Sequence, residues 1–374
     1  MRLEELLIQL QQRNGSDLYL AADSAPLLRV DGKLEPAVDH IFDAQEVEAM
    51  IRAALSDPET EEFDRTNELT AARAVAGVGR FRLSVYRQRG QVGLVARLIR
   101  LDLPSFEELG LPDALRTLVM AKRGLILVTG ATGSGKSTTL AAMIDHRNTQ
   151  SSGHILTVED PIEFIHPHKG CVVSQREVGL DTASFPAALR AALRQAPDVI
   201  LIGEMRDLET AEAALHFAET GHLVLGTLHA NNANQAVERV INFFPSETHG
   251  QLFAQLALNL RGVVSMRLVP RADAKGRTAA IEVMLNTPRI ADLITKGEIA
   301  ALKAAMENNV DDGSQSFDQA LHALYKGGKI TLDEALKQAD SANNLRIRVK
   351  MESAGSAEAK PTFTLQDSSS FDGR

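Results

Sequence analysis

One stretch near the middle of the chain decides its fold: Leu125-Ile-Leu-Val-Thr-Gly130-Ala-Thr-Gly133-Ser-Gly135-Lys136-Ser137-Thr-Thr139. An apolar run of strand length leads into a glycine-rich loop, and the residues from Lys136 onward favour a helix. This is the pattern G-x-x-x-x-G-K-S with a strand before it and a helix after it, the context expected of a P-loop. The stretch therefore predicts a site for a nucleoside triphosphate between a strand and a helix.

Each part of this loop suits the binding of phosphate. Glycines let backbone N–H groups close around phosphate oxygens without a Cβ in the way, and the start of a helix adds the positive end of its dipole. Lys136 is predicted to reach the β and γ phosphates of ATP, and the Ser137 hydroxyl to bind Mg²⁺. The predicted nucleotide-binding residues are Gly130, Ala131, Thr132, Gly133, Ser134, Gly135, Lys136, Ser137 and Thr138.

The composition limits the class of protein around this loop. A chain of 374 residues favours about two to three domains, and its hydrophobic (44%) and charged (24%) fractions are those of a globular protein. The formal net charge of −9 and the absence of tryptophan argue against binding of nucleic acid. The single cysteine, Cys171, excludes an internal disulfide and a C-x-x-C zinc module, and it suits a reducing cytoplasm.

The N-terminal residues are not expected to form a signal peptide, because Glu4 and Glu5 interrupt their apolar pattern. No run of about 18 apolar residues occurs in the chain, so no transmembrane segment is expected. A cytoplasmic location follows as an expectation.

Beyond the P-loop, short apolar runs alternate with helical segments. The runs are His154–Val158, Val199–Ile202, Leu223–Leu228 and Ala279–Met284. Near-continuous apolar runs of this kind are typical of a mainly parallel β-sheet that is buried on both faces, and ligands of such sheets bind beyond the carboxyl ends of the strands. The sequence therefore predicts an α/β fold with the nucleotide site at one edge of the sheet.

Acidic residues and a histidine follow three of these runs and are expected to reach that edge. Glu204 ends the run Val199–Ile202 and is predicted to lie on the Mg²⁺ side of the site. Among the carboxylates that follow the preceding run, Glu163 is our first choice for the group that positions the attacking water, and Glu159 is the second. His229 is expected to sense the γ-phosphate through a hydrogen bond, although a structural histidine would fit the same pattern.

Patterning divides the chain into five segments. Residues 1–100 alternate in short strands and helices and predict a smaller α+β domain, which a linker, 101–112, joins to the α/β core of residues 113–287. A helical region is predicted over residues 288–345. The remaining residues, 346–374, carry only isolated apolar side chains and are expected to form a disordered tail.

The last strands of the N-terminal segment are rich in arginine. From residue 80 to residue 85, the apolar residues alternate with Arg80, Arg82 and Ser84, which gives a strand with one basic face. This face is either a solvated surface or a set of guanidinium groups that meet phosphate across a domain or subunit boundary. Arginine suits the second role because its planar fork is always charged.

Together these motifs resemble the secretion ATPases of the RecA-like superfamily, and within them the motors of type IV pili. The resemblance covers about residues 1–345 and rests on Gly79-Arg-Phe-Arg82, Phe106-Glu-Glu-Leu-Gly-Leu-Pro112, the P-loop, Thr157-Val-Glu-Asp-Pro-Ile-Glu163, Asp198–Asp207 and Gly221–His229. It implies a RecA-like core, a PAS-like N-terminal domain and a helical C-terminal region. It also implies a homohexameric ring that hydrolyses ATP with Mg²⁺.

In such rings the N-terminal domain of one subunit lies against the core of the next. The resemblance implies that arginines of that domain reach the neighbour's nucleotide, and by position the candidates are Arg80, Arg82 and Arg97. The P-loop would then be half of a site that a neighbouring subunit completes.

Within the family the chain looks like a retraction motor of the PilT/PilU type, because it shows neither the long N-terminal region nor the four-cysteine module of extension and type II secretion motors. The segments His229–Gln235 and Ile241–Pro245 look like those of PilU-like members, and Arg289–Lys296 departs from the helix that PilT-like members need for retraction. The resemblance thus implies an accessory motor that depends on a PilT-type paralogue. Such a motor acts on an inner-membrane platform protein and is held at the cytoplasmic side of that membrane by it.

Other functions fit part of the pattern. The ring could bind nucleotide and act mainly as a regulator or scaffold of a PilT-type ring, with little hydrolysis of its own. A type II secretion or pilus-extension ATPase, or a RecA-like motor that moves along nucleic acid, fits less well. The intact acidic segment 157–163 favours hydrolysis, and the net charge disfavours nucleic acid.

Overall fold

The computed structural model describes residues 1–30, 32–99, 102–273, 276–308 and 313–355. Two β-sheets organise these residues: one of six strands in the N-terminal segment, and one of seven strands that includes the strand before the P-loop. The predicted fold class, a mainly parallel sheet with a smaller N-terminal α+β unit, is confirmed. The predicted domain boundaries stay predictions.

The N-terminal sheet is antiparallel throughout. Its strands are β1 (Asp17–Leu20), β2 (Leu27–Val30), β3 (Lys33–Pro36), β4 (Glu68–Val75), β5 (Gly79–Gln88) and β6 (Gln91–Ile99). They pair in the order β3-β2-β1-β6-β5-β4. Three helices share one hydrophobic core with this sheet: α1 (Leu3–Gln12), α2 (Ala44–Arg52) and α3 (Asp57–Thr66).

Alternation along β5 separates this core from the basic face. Phe81, Leu83 and Val85 are buried in the core. Arg82 lies between the first two of them and therefore on the other face of the strand. The register of β5 and β6 pairs Arg82 with Arg97, so two predicted phosphate-seeking arginines are cross-strand neighbours.

The second sheet is parallel except at one edge. Its strands are β7 (Gly124–Thr129), β8 (Gly153–Glu159), β9 (Cys171–Glu177), β10 (Val199–Ile202), β11 (Leu223–Leu228), β12 (Leu260–Pro270) and β13 (Arg277–Leu285). They pair in the order β13-β12-β7-β11-β10-β8-β9, and only the pair of β12 and β13 is antiparallel. The carboxyl ends of the parallel strands therefore share one edge, as the sequence predicts.

Helices cover both faces of this sheet. They are α4 (Phe106–Leu109), α5 (Ala114–Val119), α6 (Lys136–Gln150), α7 (Phe185–Ala192), α8 (Leu208–Glu219), α9 (Ala233–Ile241) and α10 (His249–Asn259). Leu125 and Leu127 of β7 pack in the core formed with α7 to α10. Ile126 and Val128 pack in a second core formed with α4 to α6. Burial on both faces explains why the run before the P-loop is apolar at every position.

The C-terminal region is helical. It contains α11 (Pro288–Thr295), α12 (Leu302–Glu307), α13 (Phe317–Lys326), α14 (Leu332–Gln338) and α15 (Ala342–Gly355). Residues 346–355 of the predicted tail belong to α15 in the structure. That helix forms because Leu345 is buried against Phe317 and Leu321 of α13 in a small separate core. Residues 356–374 of the predicted tail lie outside the described residues.

Candidate nucleotide-binding site

The glycine loop connects the end of β7 to the start of α6. Gly130, Gly133 and Gly135 have φ values of 149°, 73° and 100°, which side chains with a Cβ rarely adopt. A Cβ on Gly130 would lie 2.7 Å from the carbonyl oxygen of Met266 and would also collide with the Ser134 hydroxyl. The loop can therefore take this tight path only with glycine at its first position.

The start of α6 supplies the positive groups of the site. α6 begins at Lys136, so the backbone N–H groups of its first turn are free of partners within the helix. The Lys136 ammonium donates hydrogen bonds to the carbonyl oxygens of Gly130 (2.8 Å) and Ala131 (3.1 Å), which places it directly over the loop. Burial lowers the pKa of Lys136, and the charges of Glu204 and Glu163 oppose that shift.

The predicted groups from four strand ends meet in one cleft. Its volume is about 490 Å³, and the chemically important residues that line it include Lys136, Ser137, Glu159, Glu163, Glu204 and His229. Of the other predicted loop residues, the lining includes Thr132, Gly133, Gly135 and Thr138. Ser134 is buried beneath the loop, and its hydroxyl has no hydrogen-bond partner in the described chain.

Glu204 lies between the side chains of Arg206 and His229 beyond the end of β10. One carboxylate oxygen lies 2.6 Å from Nη2 of Arg206, and the other lies 3.2 Å from Nε2 of His229. Burial opposes ionisation of Glu204, but the hydrogen bond and charge of Arg206 and the charges of His229 and Lys136 outweigh it and lower the pKa of Glu204. Glu204 is therefore an ionised carboxylate near Lys136, as binding of Mg²⁺ requires.

The two remaining carboxylate candidates differ in their surroundings. Glu159, at the end of β8, accepts hydrogen bonds from Thr157 (2.7 Å) and Gln175 (3.2 Å) through one oxygen. Burial raises the pKa of Glu159 to about 7, against the effect of those two hydrogen bonds. Glu163 is exposed, and its carboxylate accepts no hydrogen bond from the described residues. The two groups are thus an enclosed, weakly acidic carboxyl and a free carboxylate.

The buried position of Glu159 predicts a pH-dependent stability. A folded-state pKa near 7, above the usual 4.5, means that the folded protein holds the proton more tightly. The resulting stabilisation is complete below the usual pKa and is lost as the pH rises through 7. Relative to Glu159→Gln, the free energy of unfolding of the wild type is expected to fall by about 2 kcal/mol between about pH 5.5 and 8.

Denaturant unfolding of both proteins at the two pH values measures this difference. Burial also raises the pKa of Glu282 to about 7, but Glu282 is present in both proteins and its contribution cancels. Unfolding free energies that change in parallel with pH in the two proteins would contradict the assignment of the shift to Glu159.

Two of the three arginines predicted to act on a neighbour's nucleotide lie close to carboxylates of their own chain. Arg97 is exposed, and its Nε lies 2.8 Å from Asp17 on the neighbouring strand β1. The Nε of Arg82 lies 3.8 Å from Glu177 at the end of β9. Arg80 is half-buried in β5. The arginines that line the cleft of this chain are two others, Arg206 and Arg277. The action of the three predicted arginines on a neighbouring subunit stays a prediction.

Several residues around the cleft were missed in the sequence. Arg277 starts β13, and because β13 runs antiparallel to its neighbour it begins at the edge where the parallel strands end. Gln175 and Glu177 lie on β9, and both contact the segment that follows β8. For Gln175 and Glu177, the only signal in the sequence is the polar second half of β9. A polar run of this kind looks like an ordinary loop.

The donor groups of the cleft fit a magnesium ion that is shared with a nucleotide. Mg²⁺ is usually bound by one or two protein oxygens, together with water and phosphate, and Ser137 and Glu204 supply such oxygens. Among the described residues, no group of three or more His, Cys, Asp and Glu side chains is placed to hold a metal ion. The oxygens of Ser137 and Glu204 therefore suit Mg²⁺ that is bound together with a nucleotide.

No helix in the described ranges combines the length and the apolar character that crossing a membrane requires.

A glycine loop between a parallel strand and a helix, with acidic groups at neighbouring strand ends, defines the P-loop class of nucleotide-binding proteins. The family model "Type II/IV secretion system protein" matches residues 94–345. The chain belongs to this family and, within it, to the PilT/PilU group of type IV pilus ATPases.

Individual relatives agree with this placement. The chain is 50% identical to the type IV pilus ATPase PilU of Pseudomonas aeruginosa, over 97% of this chain and 95% of that protein. It is 41% identical to the pilus retraction ATPase PilT of the same organism, over 92% of this chain and 100% of that protein. A crystal structure of the pilus retraction motor PilT with bound ADP superposes with a TM-score of 0.87, at 40% identity, covering 93% of this chain and 99% of that one.

Proposed function

We propose that this chain is the Mg²⁺-dependent ATP-hydrolysing subunit of a homohexameric motor that assists type IV pilus retraction. In this role it acts beside a PilT-type paralogue. It remains in the cytoplasm and attaches to the inner membrane through the platform protein of the pilus machine.

The observation that supports hydrolysis best is the meeting of Lys136, Ser137, Glu163, Glu204 and His229 in one cleft. These residues come from the loop after β7 and from three further strand ends, so a shared edge of the sheet is needed to assemble them. All of them except His229 supply a group that phosphoryl transfer requires: a cation for developing charge, oxygens for the metal and a carboxylate for the attacking water. Phosphate binding alone would need only the glycine loop.

Different residues of the chain carry out the different steps of the proposed reaction. The first turn of α6 and Lys136 bind the phosphates and stabilise the negative charge that develops on them. Ser137 and Glu204 would hold the Mg²⁺, which would supply positive charge to offset part of the charge of the phosphates. Glu163 orients the attacking water and accepts its proton. His229, in contact with Glu204, detects whether the γ-phosphate is present.

The basic face of the N-terminal sheet supports a working unit larger than one chain. The exposed Arg97 and the half-buried Arg80 lie on this face, outside the lining of the chain's own cleft. In a ring, the face would lie against the nucleotide of the adjacent subunit. Hydrolysis would then change how the N-terminal sheet of one subunit packs on the core of the next, and the platform protein would receive that motion.

The accessory role is supported by the greater identity to PilU (50%) than to PilT (41%). A local feature agrees with it. The helix α11 contains Asp292 between the two cations Arg289 and Lys296, at 3.2 Å and 2.8 Å. The segment Arg289–Lys296 that carries these exposed ion pairs departs in sequence from the helix that PilT-like members need for retraction, and we infer that this surface does not drive retraction alone.

Gene deletion and complementation test this function. Deleting the gene in the bacterium that encodes it is expected to reduce twitching while pili still assemble, because retraction loses an auxiliary motor. In a strain that lacks the PilT-type paralogue, this chain alone is expected to restore no retraction. Twitching zones and surface pilus counts measure both effects, and full retraction in the second strain would overturn the accessory role.

A nucleotide-binding regulator with little turnover is the competing function, and the same strains separate it. The variant Lys136→Ala is expected to fail to complement the deletion if hydrolysis drives the motor. Complementation by that variant to the wild-type level would favour the regulator.

A further inference from the structure

Strand β9 holds the acidic segment that follows β8. Nε2 of Gln175 donates a hydrogen bond to the carbonyl oxygen of Phe164 (2.9 Å), and Oε1 of Gln175 accepts one from the backbone N–H of His166 (2.8 Å). Two residues further on, Oε2 of Glu177 accepts a hydrogen bond from the backbone N–H of Ile162 (3.2 Å). The residues on either side of Glu163 are therefore both held by β9.

Glu177 is an unusual residue for this task, because its carboxylate is almost fully buried. Its exposed fraction is 1%, and its second oxygen, Oε1, has no hydrogen-bond partner among the described residues. A buried carboxylate oxygen without a partner is unfavourable, and a nearby cation reduces that penalty. The cation in reach is Arg82, whose Nε lies 3.8 Å from this oxygen.

The partners of Glu177 belong to different parts of the chain. Arg82 lies on β5 of the N-terminal sheet. Glu177 lies on β9 of the seven-stranded sheet, and Ile162 lies in the segment that follows β8, at the edge of that sheet where the cleft is found. A shift of the N-terminal sheet changes the distance from Arg82 to Glu177. The Glu177 carboxylate also accepts a hydrogen bond from the backbone next to Glu163. That shift therefore displaces Glu163, whose carboxylate is proposed to orient water.

We propose that Glu177 is a positioning residue for Glu163, and that Arg82 acts on it within the same subunit to couple the N-terminal sheet to hydrolysis. The proposal rests on the proposed ATPase function. It assigns Arg82 to its own chain, whereas family resemblance assigns it to the neighbour's nucleotide.

A double-mutant cycle in kcat separates the two assignments. Glu177→Gln keeps an oxygen for the Ile162 N–H but removes the charge that faces Arg82, and Arg82→Gln removes the other partner. Each is expected to lower kcat by about tenfold, because a small misplacement of a reacting group has effects of this order. The double variant is expected to be no slower than either single variant, and the KM for ATP is expected to stay unchanged.

Independent roles would give a different result. If Arg82 acts on the neighbour's phosphate, the two effects multiply, the double variant is about a hundredfold slower, and the proposal is overturned. Single variants with wild-type kcat overturn it as well. Arg87→Gln is the matched control, because Arg87 lies on the same strand but faces Asp64 (3.6 Å) and Glu48 (3.9 Å) of the N-terminal helices. It is expected to keep the wild-type kcat.

Hydrogen–deuterium exchange gives a readout that does not depend on hydrolysis. The peptide that spans residues 160–166 is expected to exchange faster in Arg82→Gln than in the wild type, while peptides of β7 and β11 exchange equally. Unchanged exchange in this peptide would overturn the proposal even if the protein hydrolyses no ATP. If the wild type hydrolyses no ATP but Arg82→Gln still speeds exchange in this peptide, only the proposed function is contradicted. If Glu177→Gln fails to fold, Arg82→Gln still tests the proposal by exchange, because Arg82 is only partly buried and its replacement should leave the fold intact.

Discussion

ATP hydrolysis is expected to fall by at least about a thousandfold when Lys136 is replaced by alanine. Lys136 starts α6, and its ammonium lies over the glycine loop through hydrogen bonds to Gly130 and Ala131. Loss of one aligned donor to developing negative charge costs a factor of about 10²–10³, and here a full positive charge is lost with the donor. The effect should appear in kcat, because a cation at the β and γ phosphates stabilises the transition state more than the bound nucleotide.

Steady-state release of phosphate measures this effect. The matched control is Lys122→Ala, because Lys122 is an exposed lysine near the amino end of β7, opposite the P-loop. That variant is expected to hydrolyse ATP at the wild-type rate. The two variants should have similar melting temperatures, since neither side chain belongs to a hydrophobic core. Substantial hydrolysis by Lys136→Ala would contradict the mechanism.

The strands that are buried on both faces could be predicted from sequence. In β7, β10 and β11 every residue is buried, so the apolar run is continuous and stands out from the helices between the strands. The glycine loop added a second signal, because its conformation at Gly130 and Gly133 excludes most other residues. These two signals together also placed Glu204 and His229 at the correct edge of the sheet.

Strands β9 and β12 could not be predicted in the same way. Only the first half of β9 packs against the core, through Cys171 and Val173, while its second half carries polar side chains that bind a loop. β12 contains the register irregularity between Leu260 and Gly262, which interrupts its apolar pattern. Their partners depend on how distant segments fold back, and local periodicity does not encode that.

The arginines of β5 and β6 show the same limit. Alternation predicts which face of the strand a residue occupies, and it placed Arg82 opposite the core. It does not predict that Asp17 binds Arg97, or that Glu177 lies within 4 Å of Arg82, because these contacts join segments 80 and 95 residues apart. A charged residue on a predicted face therefore identifies a surface, but its partner requires the structure.

Glu163→Gln is expected to lower kcat far more than Glu159→Gln does. Both changes replace a carboxylate by an amide of the same size, so the comparison isolates the charge at each position. Glu163 is exposed to the cleft, and its charge acts on Lys136. Glu159 is enclosed, one of its oxygens already accepts hydrogen bonds from Thr157 and Gln175, and its pKa of about 7 leaves it half protonated at neutral pH.

A group that orients water and accepts its proton needs an oxygen that no other group occupies, and the Glu163 carboxylate accepts no hydrogen bond from the described residues. We expect a loss of about a thousandfold for Glu163→Gln and about tenfold for Glu159→Gln, with a similar KM for ATP in both. Single-turnover hydrolysis at pH 8, where Glu159 is largely ionised in the wild type, is the decisive measurement. If Glu159→Gln is the slower variant even there, the enclosed carboxyl orients the water, and Glu163 serves only to set the charge around Lys136.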